Sequence, residues 1–183
     1  IGVDSGDLDG DGLSDELERD GWMISVDVRG TGALTERKVT SDAGEIDSDK
    51  DGLTDRMEFA MKTDPRSRDT DGDLLSDLEE LDAYKSNPVS VDTDGDSRGP
   101  RGDQIPNSAL FDGIELLRSR TSPTLADTDG DGLTDYQEII GGGFNPRRAD
   151  LPEWVLQPVG NPSITLNVNI KNTAETKRVT SRL

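Results

Sequence analysis

The chain has 183 residues, 39 acidic against 20 basic, a formal charge of −19, no His, no Cys, 30% apolar residues and 4% aromatic ones. The missing residue types exclude an ordinary zinc site, a Ser-His or Cys-His nucleophile and a disulfide framework. The acidity disfavours nucleic acid and anionic membrane surfaces as partners, and no run reaches the roughly 18 apolar residues of a membrane span. So little apolar surface cannot offset the ordering entropy of a chain this long, so an ordered fold needs another source of stability.

The first element in the chain supplies a candidate. Asp7-Leu-Asp-Gly-Asp11-Gly-Leu-Ser-Asp15-Glu-Leu-Glu18 is a 12-residue ladder with oxygen donors at positions 1, 3, 5, 7, 9 and 12. A hard cation such as Ca²⁺ takes about six to eight oxygens, and this spacing delivers them. The expected ligands are Asp7, Asp9, Asp11, the carbonyl of Leu13, Asp15 directly or through water, and Glu18. A helix beginning near Ser14 puts Asp15 and Glu18 on one face of its first turn, and one is expected over 15–20.

An insertion, 21–44, follows. Trp22, Ile24, Val26 and Val28 alternate with Met23, Ser25 and Asp27, and Gly30-Thr-Gly32 leads into a second extended run near 34–40. This predicts a β-hairpin.

The second ladder uses Asp47, Asp49, Asp51, Leu53, Asp55 and Glu58, with a helix expected over 55–62. The third has Asp69, Asp71, Asp73, Leu75, Asp77 and Glu80, with a helix over 77–85. In it Leu74 replaces the glycine that allows the sharp bend, which predicts a bent or weaker site. The fourth opens with Asp92, Asp94 and Asp96, breaks at Ser97, and resumes at Asp112 and Glu115, leading into a helix over 112–119. A loop insertion, 97–109, separates its halves. This insertion holds Arg98-Gly-Pro-Arg101-Gly-Asp103, whose Arg-Gly-Asp and Arg-x-x-Arg are short matches of low specificity in an exposed Gly/Pro-rich loop. The fifth ladder uses Asp127, Asp129, Asp131, Leu133, Asp135 and Glu138, with a helix over 135–140 ended by Gly141-Gly-Gly143.

The loops start at 7, 47, 69, 92 and 127, and one period of 22 to 23 residues emerges once the two insertions are removed. Asp64-Pro65, Asn87-Pro88, Ser122-Pro123 and Asn145-Pro146 mark a turn four residues before Asp69, Asp92, Asp127 and Asp150. These prolines stand where an EF-hand needs its first helix, so the units are half EF-hands at most. Residues 163–170 alternate as a strand, with a possible partner near Val179.

The fold class expected is a mostly irregular, calcium-stabilised repeat array with short α-helices, one β-hairpin insertion and a C-terminal β segment. Residues 1–150 form the array, and 151–183 a linker and the start of a β-domain. About five Ca²⁺ sites would bring the formal charge to about −9.

The phrase Asp-Thr-Asp-Gly-Asp-Gly-Leu-Thr-Asp, with an Asn-Pro or Asp-Pro turn before the next loop, resembles bacterial thrombospondin type 3 repeats over about residues 4 to 150. That resemblance implies calcium-wrapped, secreted or cell-surface spacers in which metal stands in for a hydrophobic core. Residues 7–28 are also similar to the calcium-binding segment of protective-antigen-type binary toxin binding components, which implies an assembly segment of a pore-forming or delivery toxin. No catalytic site is expected, because nearly every well-placed carboxylate is assigned to metal and no aromatic cluster builds a pocket. The expected partners are Ca²⁺ and adjacent domains of the same polypeptide, outside the cell, with a protein partner unidentified.

Overall fold

The computed structural model describes residues 6–97, 110–141 and 143–149, together with the backbone of three strands beyond them. Residues 1–126 and 127–183 form two compact units.

The first unit strings four loop–helix repeats around a hairpin. Its helices are α1 Asp15–Asp20, α2 Asp55–Met61, α3 Asp77–Glu79 and α4 Asp112–Ile114. Hydroxyls start the first three: Ser14, Thr54 and Ser76 each accept a backbone N–H from the first turn, and Ser76 and Glu79 form a reciprocal capping box. Left-handed Lys62, Lys85 and Arg120 end the helical segments of repeats 2, 3 and 4.

The helices α3 and α4 continue as π-helical turns, Glu80–Tyr84 and Glu115–Ser119. A π turn absorbs one extra residue. This accounts for the uneven period: 14 residues run from Asp55 to Asp69, but 15 from Asp77 to Asp92 and 15 from Asp112 to Asp127. Before the next loop, Asp64 and Asn87 each accept two backbone N–H groups, one on the carbonyl and one on the side chain, around a following proline.

The hairpin consists of β1 Trp22–Val26 and β2 Thr35–Val39, antiparallel, with Trp22 opposite Val39 and Val26 opposite Thr35. Its inner face is the apolar core of the unit: Trp22, Ile24, Val26 and Val39 gather with Leu13, and Leu17, Phe59 and Val89 pack against them. Trp22 meets Phe59 edge-on, ring centroids 5.1 Å apart. The expected alternation holds through Val26 and then stops. Val28 is 41% exposed because the chain leaves the strand at Asp27, which pairs in parallel with Ser90. The buried Asp27 carboxylate accepts the N–H groups of Arg29, Thr31 and Gly32 and so shapes the hairpin loop. Gly30, at φ +59°, lies so close to repeat 4 that a Cβ would stand 2.8 Å from Ser97 Oγ.

Leu74 does not bend its loop. It takes φ +91°, beside +96° at Gly12 and +108° at Gly52, and its N–H reaches Asp69 Oδ2 at 3.2 Å as the Gly52 N–H reaches Asp47 Oδ2 at 3.1 Å. The compensation comes from the next repeat. Gly12 accommodates Arg56 and Gly52 accommodates Leu78, each from the first turn of the following helix. Where Leu74 fills that space, the facing residue is Gly113, whose Cβ would lie 2.2 Å from the Asp73 carbonyl oxygen. Gly113→Ala is therefore expected to cost about 2–3 kcal/mol in urea unfolding with calcium present, as overpacking against backbone does. Leu74→Gly should stay within about 0.5 kcal/mol of neutral, relief of left-handed strain offsetting the added chain entropy.

The second unit holds the fifth loop, α5 Asp135–Gly141, and a turn at Asn145. Strands β3 Glu153–Pro158, β4 Ser163–Asn169 and β5 Lys177–Arg182 make an antiparallel sheet in the order β3-β4-β5. Leu166 pairs with Val179, as the alternation suggested, while β3 lies in a stretch expected to be linker.

Candidate metal centres

Each loop folds its aspartates by the same backbone bonds. Position 1 accepts from the N–H of position 4, at 2.8 Å for Asp7, 2.7 Å for Asp47 and Asp69, 2.9 Å for Asp92 and 2.8 Å for Asp127. Position 3 accepts from position 5, as Asp9, Asp49, Asp71, Asp94 and Asp129 do at 3.0–3.1 Å. Position 5 accepts from position 7: Asp11 from Leu13, Asp51 from Leu53, Asp73 from Leu75 and Asp131 from Leu133. One oxygen of each carboxylate is thereby tied to the loop, and the carboxylates gather. Oxygens of Asp7/Asp9/Asp11, of Asp47/Asp49/Asp51, of Asp69/Asp71/Asp73 and of Asp92/Asp94/Asp96 lie within 4.8 Å of one another in each group.

The helix that follows buries its glutamate against this group. Glu18, Glu58, Glu80 and Glu115 are 0% exposed and Glu138 is 1% exposed. One oxygen of each of the first four accepts a hydroxyl, from Ser41, Thr63, Ser86 and Thr121 respectively. The other, Oε2, is buried with no hydrogen-bond partner, as is Oδ2 of Asp9, Asp49, Asp71 and Asp129. Arg19, Arg37 and Lys50 pair with Asp15, Asp64 and Glu45 rather than with Glu18, Glu58, Glu80 or Glu115.

A buried carboxylate without a counter-charge is costly when ionised. With no cation beside them, burial first and neighbouring carboxylates second push Glu58 and Glu80 to about 9, and Glu115 to about 10. The same causes push Asp71 to about 9, with Asp73 its strongest charged neighbour. Burial also takes Asp77 and Asp112 to about 7, and Glu18, Asp49 and Asp73 to about 6. Oxygen donors only, convergent, buried and partly without partners, fit a hard divalent cation.

The position-9 aspartates have a further task. Asp55, Asp77, Asp112 and Asp135 each accept the backbone N–H and the side-chain hydroxyl of position 2, which is Ser48, Thr70, Thr93 and Thr128. Asp15 accepts only the Leu8 N–H this way and turns its second oxygen to Arg19. These residues latch the loop shut across its neck. The backbone reinforces the latch: the Asp15, Asp55, Asp77 and Asp112 N–H groups donate to the carbonyls of Gly6, Ile46, Arg68 and Val91.

In the interrupted fourth loop the parts still meet. Asp112 closes onto Thr93 across 19 residues, and Ser97 Oγ bonds Asp92, taking the place of the glycine N–H elsewhere. Leu110, 0% exposed, occupies the slot of Leu13, Leu53 and Leu75, an alignment hidden in the sequence by the insertion. Arg98, Arg101 and Asp103 lie outside the described residues. Asp73, Glu80 and Asp112 also come within 4.8 Å of one another, joining loop 3 to the neck of loop 4.

Residues 47–65, 69–90 and 127–143 match the family described as Bacterial TSP3 repeat. Residues 6–45 match the Clostridial binary toxin B/anthrax toxin PA Ca-binding domain. No curated protein and no solved structure matches the chain. With oxygen-only clusters at loops 1, 2 and 3, the similarity to bacterial TSP3 repeats at loops 2, 3 and 5 and, over loop 1 and its hairpin, to the calcium-binding domain of those toxins points to a calcium-binding module.

Proposed function

We propose that the chain is a structural spacer or scaffold of a secreted or cell-surface protein, folded and stiffened by calcium. The observation that carries this reading is the set of buried glutamates, Glu18, Glu58, Glu80 and Glu115, each with one oxygen lacking a partner and facing its own aspartate cluster. Direct ligands in each loop are the carboxylates of positions 1, 3, 5 and 12 with the carbonyl of position 7, namely Leu13, Leu53, Leu75, Leu110 and Leu133. Position 9 acts as latch and reaches the ion of its own loop at most through water. Bound calcium supplies the positive charge that lets these carboxylates ionise where they are buried. The Asp73/Glu80/Asp112 grouping supports an ion count above five.

Extracellular calcium suits such sites. At about 2 mM calcium and a Kd of about 0.1 mM, each site contributes roughly 1.8 kcal/mol, and five about 9 kcal/mol, comparable to the whole stability of a small domain. Small-angle scattering tests the spacer reading. Chelation should raise the radius of gyration of the loaded chain towards that of an unfolded chain. A radius unchanged by chelation would contradict it.

A second reading rests on the match over residues 6–45: an assembly segment of a binary-toxin binding component. It predicts calcium-dependent ring-like oligomers in sedimentation and long amphipathic strands in the parent polypeptide. A calcium-loaded monomer favours the spacer.

A further inference from the structure

The hydroxyls on the buried glutamates and those at the loop necks belong to one recurring pair. Ser41 and Ser48, Thr63 and Thr70, Ser86 and Thr93, and Thr121 and Thr128 are each seven residues apart, one pair at every junction between consecutive loops. Outside the junctions the pattern stops. Position 2 of loop 1 is Leu8, and after the fifth helix Phe144 stands where Thr121 stands after the fourth.

The contacts explain the pairing. Ser41 Oγ donates to Glu18 Oε1 at 3.0 Å; the next residue, Asp42, donates its N–H to Ser48 Oγ at 2.8 Å; and Ser48 Oγ donates to Asp55 Oδ2 at 2.7 Å. The path repeats through Thr63, Asp64, Thr70 and Asp77, with the final bond at 2.6 Å, and through Ser86, Asn87, Thr93 and Asp112, again at 2.6 Å. Each runs from the ligand glutamate of one loop to the latch of the next. A second link runs beside it at two junctions: the Arg56 N–H donates to Asp11 Oδ2 at 3.1 Å, and the Gly113 N–H to Asp73 Oδ2 at 2.9 Å.

We infer that the hydroxyl pairs are positioning residues that couple cation binding in adjacent loops, so that loading one loop raises the affinity of the next. A glutamate held in place by its cation fixes the first hydroxyl and the turn behind it, which presents the N–H that orients the second hydroxyl on the latch. Leu8 shows that a loop can close without a neck hydroxyl, so the pair serves the junction rather than the loop itself. This rests on the calcium reading above.

The test is a calcium titration of the full chain labelled with ¹⁵N-glycine, with the amides of Gly12 and Gly52 reporting loops 1 and 2 separately. Asp7→Asn, which lies off the path, should weaken loop 2 about fivefold through lost coupling. In the Ser48→Ala or Ser41→Ala background the same change should affect loop 2 markedly less, the Arg56–Asp11 link alone remaining, and Ser48→Thr, the residue used at other junctions, should restore the dependence. Ser41→Ala leaves the loop 2 latch whole, so it separates coupling from simple damage to the loop. An equal effect of Asp7→Asn in all backgrounds, or none in the native chain, overturns the inference. If neither glycine responds to calcium at all, it is the calcium reading that fails.

Discussion

Metal-free chain is expected to be folded at acid pH and to come apart as the pH rises, the reverse of ordinary acid denaturation. The sign follows from the buried carboxylates. Glu58, Asp71 and Glu80 sit near 9 and Glu115 near 10 when no cation faces them, against ordinary values of 4.5 for Glu and 3.8 for Asp. The folded state therefore binds more protons than the unfolded one from about pH 4 to about pH 10, and stability falls with pH across that window. It is fully present below about pH 4, weakens as Glu18, Asp49 and Asp73 pass about 6 and Asp77 and Asp112 about 7, and is lost as the last group passes 9 to 10. Calcium demands the deprotonated form, so its contribution grows in the opposite direction. Thermal melts from pH 4 to 9, with calcium and with chelator, should coincide at the acid end and diverge steadily towards the alkaline end. Metal-free chain that is most stable at pH 9 and melts on acidification would contradict the account.

The second large effect is a change of sign at a single residue. Glu58→Gln should destabilise calcium-loaded protein by about the contribution of one site, roughly 1.8 kcal/mol at 2 mM calcium. The same substitution should stabilise metal-free protein at pH 5.5, where the metal-free fold persists, because it removes a buried acid that burial and Asp49 hold far above its ordinary value. A purely structural glutamate would shift both states the same way. Urea unfolding of native and variant chains, each with calcium and with chelator, reads both arms, and parallel shifts would remove Glu58 from the ligand set.

Much of this was legible in the sequence because ladder, helix and turn are local. The helix starts at Asp15, Asp55, Asp77 and Asp135 follow a hydroxyl residue and open an acidic first turn, the start at Asp112, after Phe111, follows from the ladder spacing alone, and the hairpin follows from the alternation of Trp22, Ile24 and Val26. What stayed hidden depends on neighbours. Leu74 reads as a defect until Gly113, 39 residues later, is seen to vacate the space it needs. Asp27 reads as the polar side of a strand, whereas it ends the strand and gathers three backbone N–H groups. The position-9 aspartates read as ligands, directly or through water, by spacing alone, and the neck bonds to Ser48, Thr70 and Thr93 give them a second task that the spacing did not reveal. The seven-residue hydroxyl spacing was present throughout, but it gains meaning only when the buried glutamates reveal what the first hydroxyl touches.

The most direct test of the central claim, that calcium stands in for the missing core, is a titration of metal-free chain at pH 7.5 followed by circular dichroism and hydrodynamic radius, with calcium and, separately, with magnesium at matched ionic strength. The account predicts compaction and helix gain that saturate at five or more calcium ions per chain, with little response to magnesium, whose small octahedral shell suits these loops poorly. A chain already compact and helical without metal, and unchanged by calcium, would contradict it.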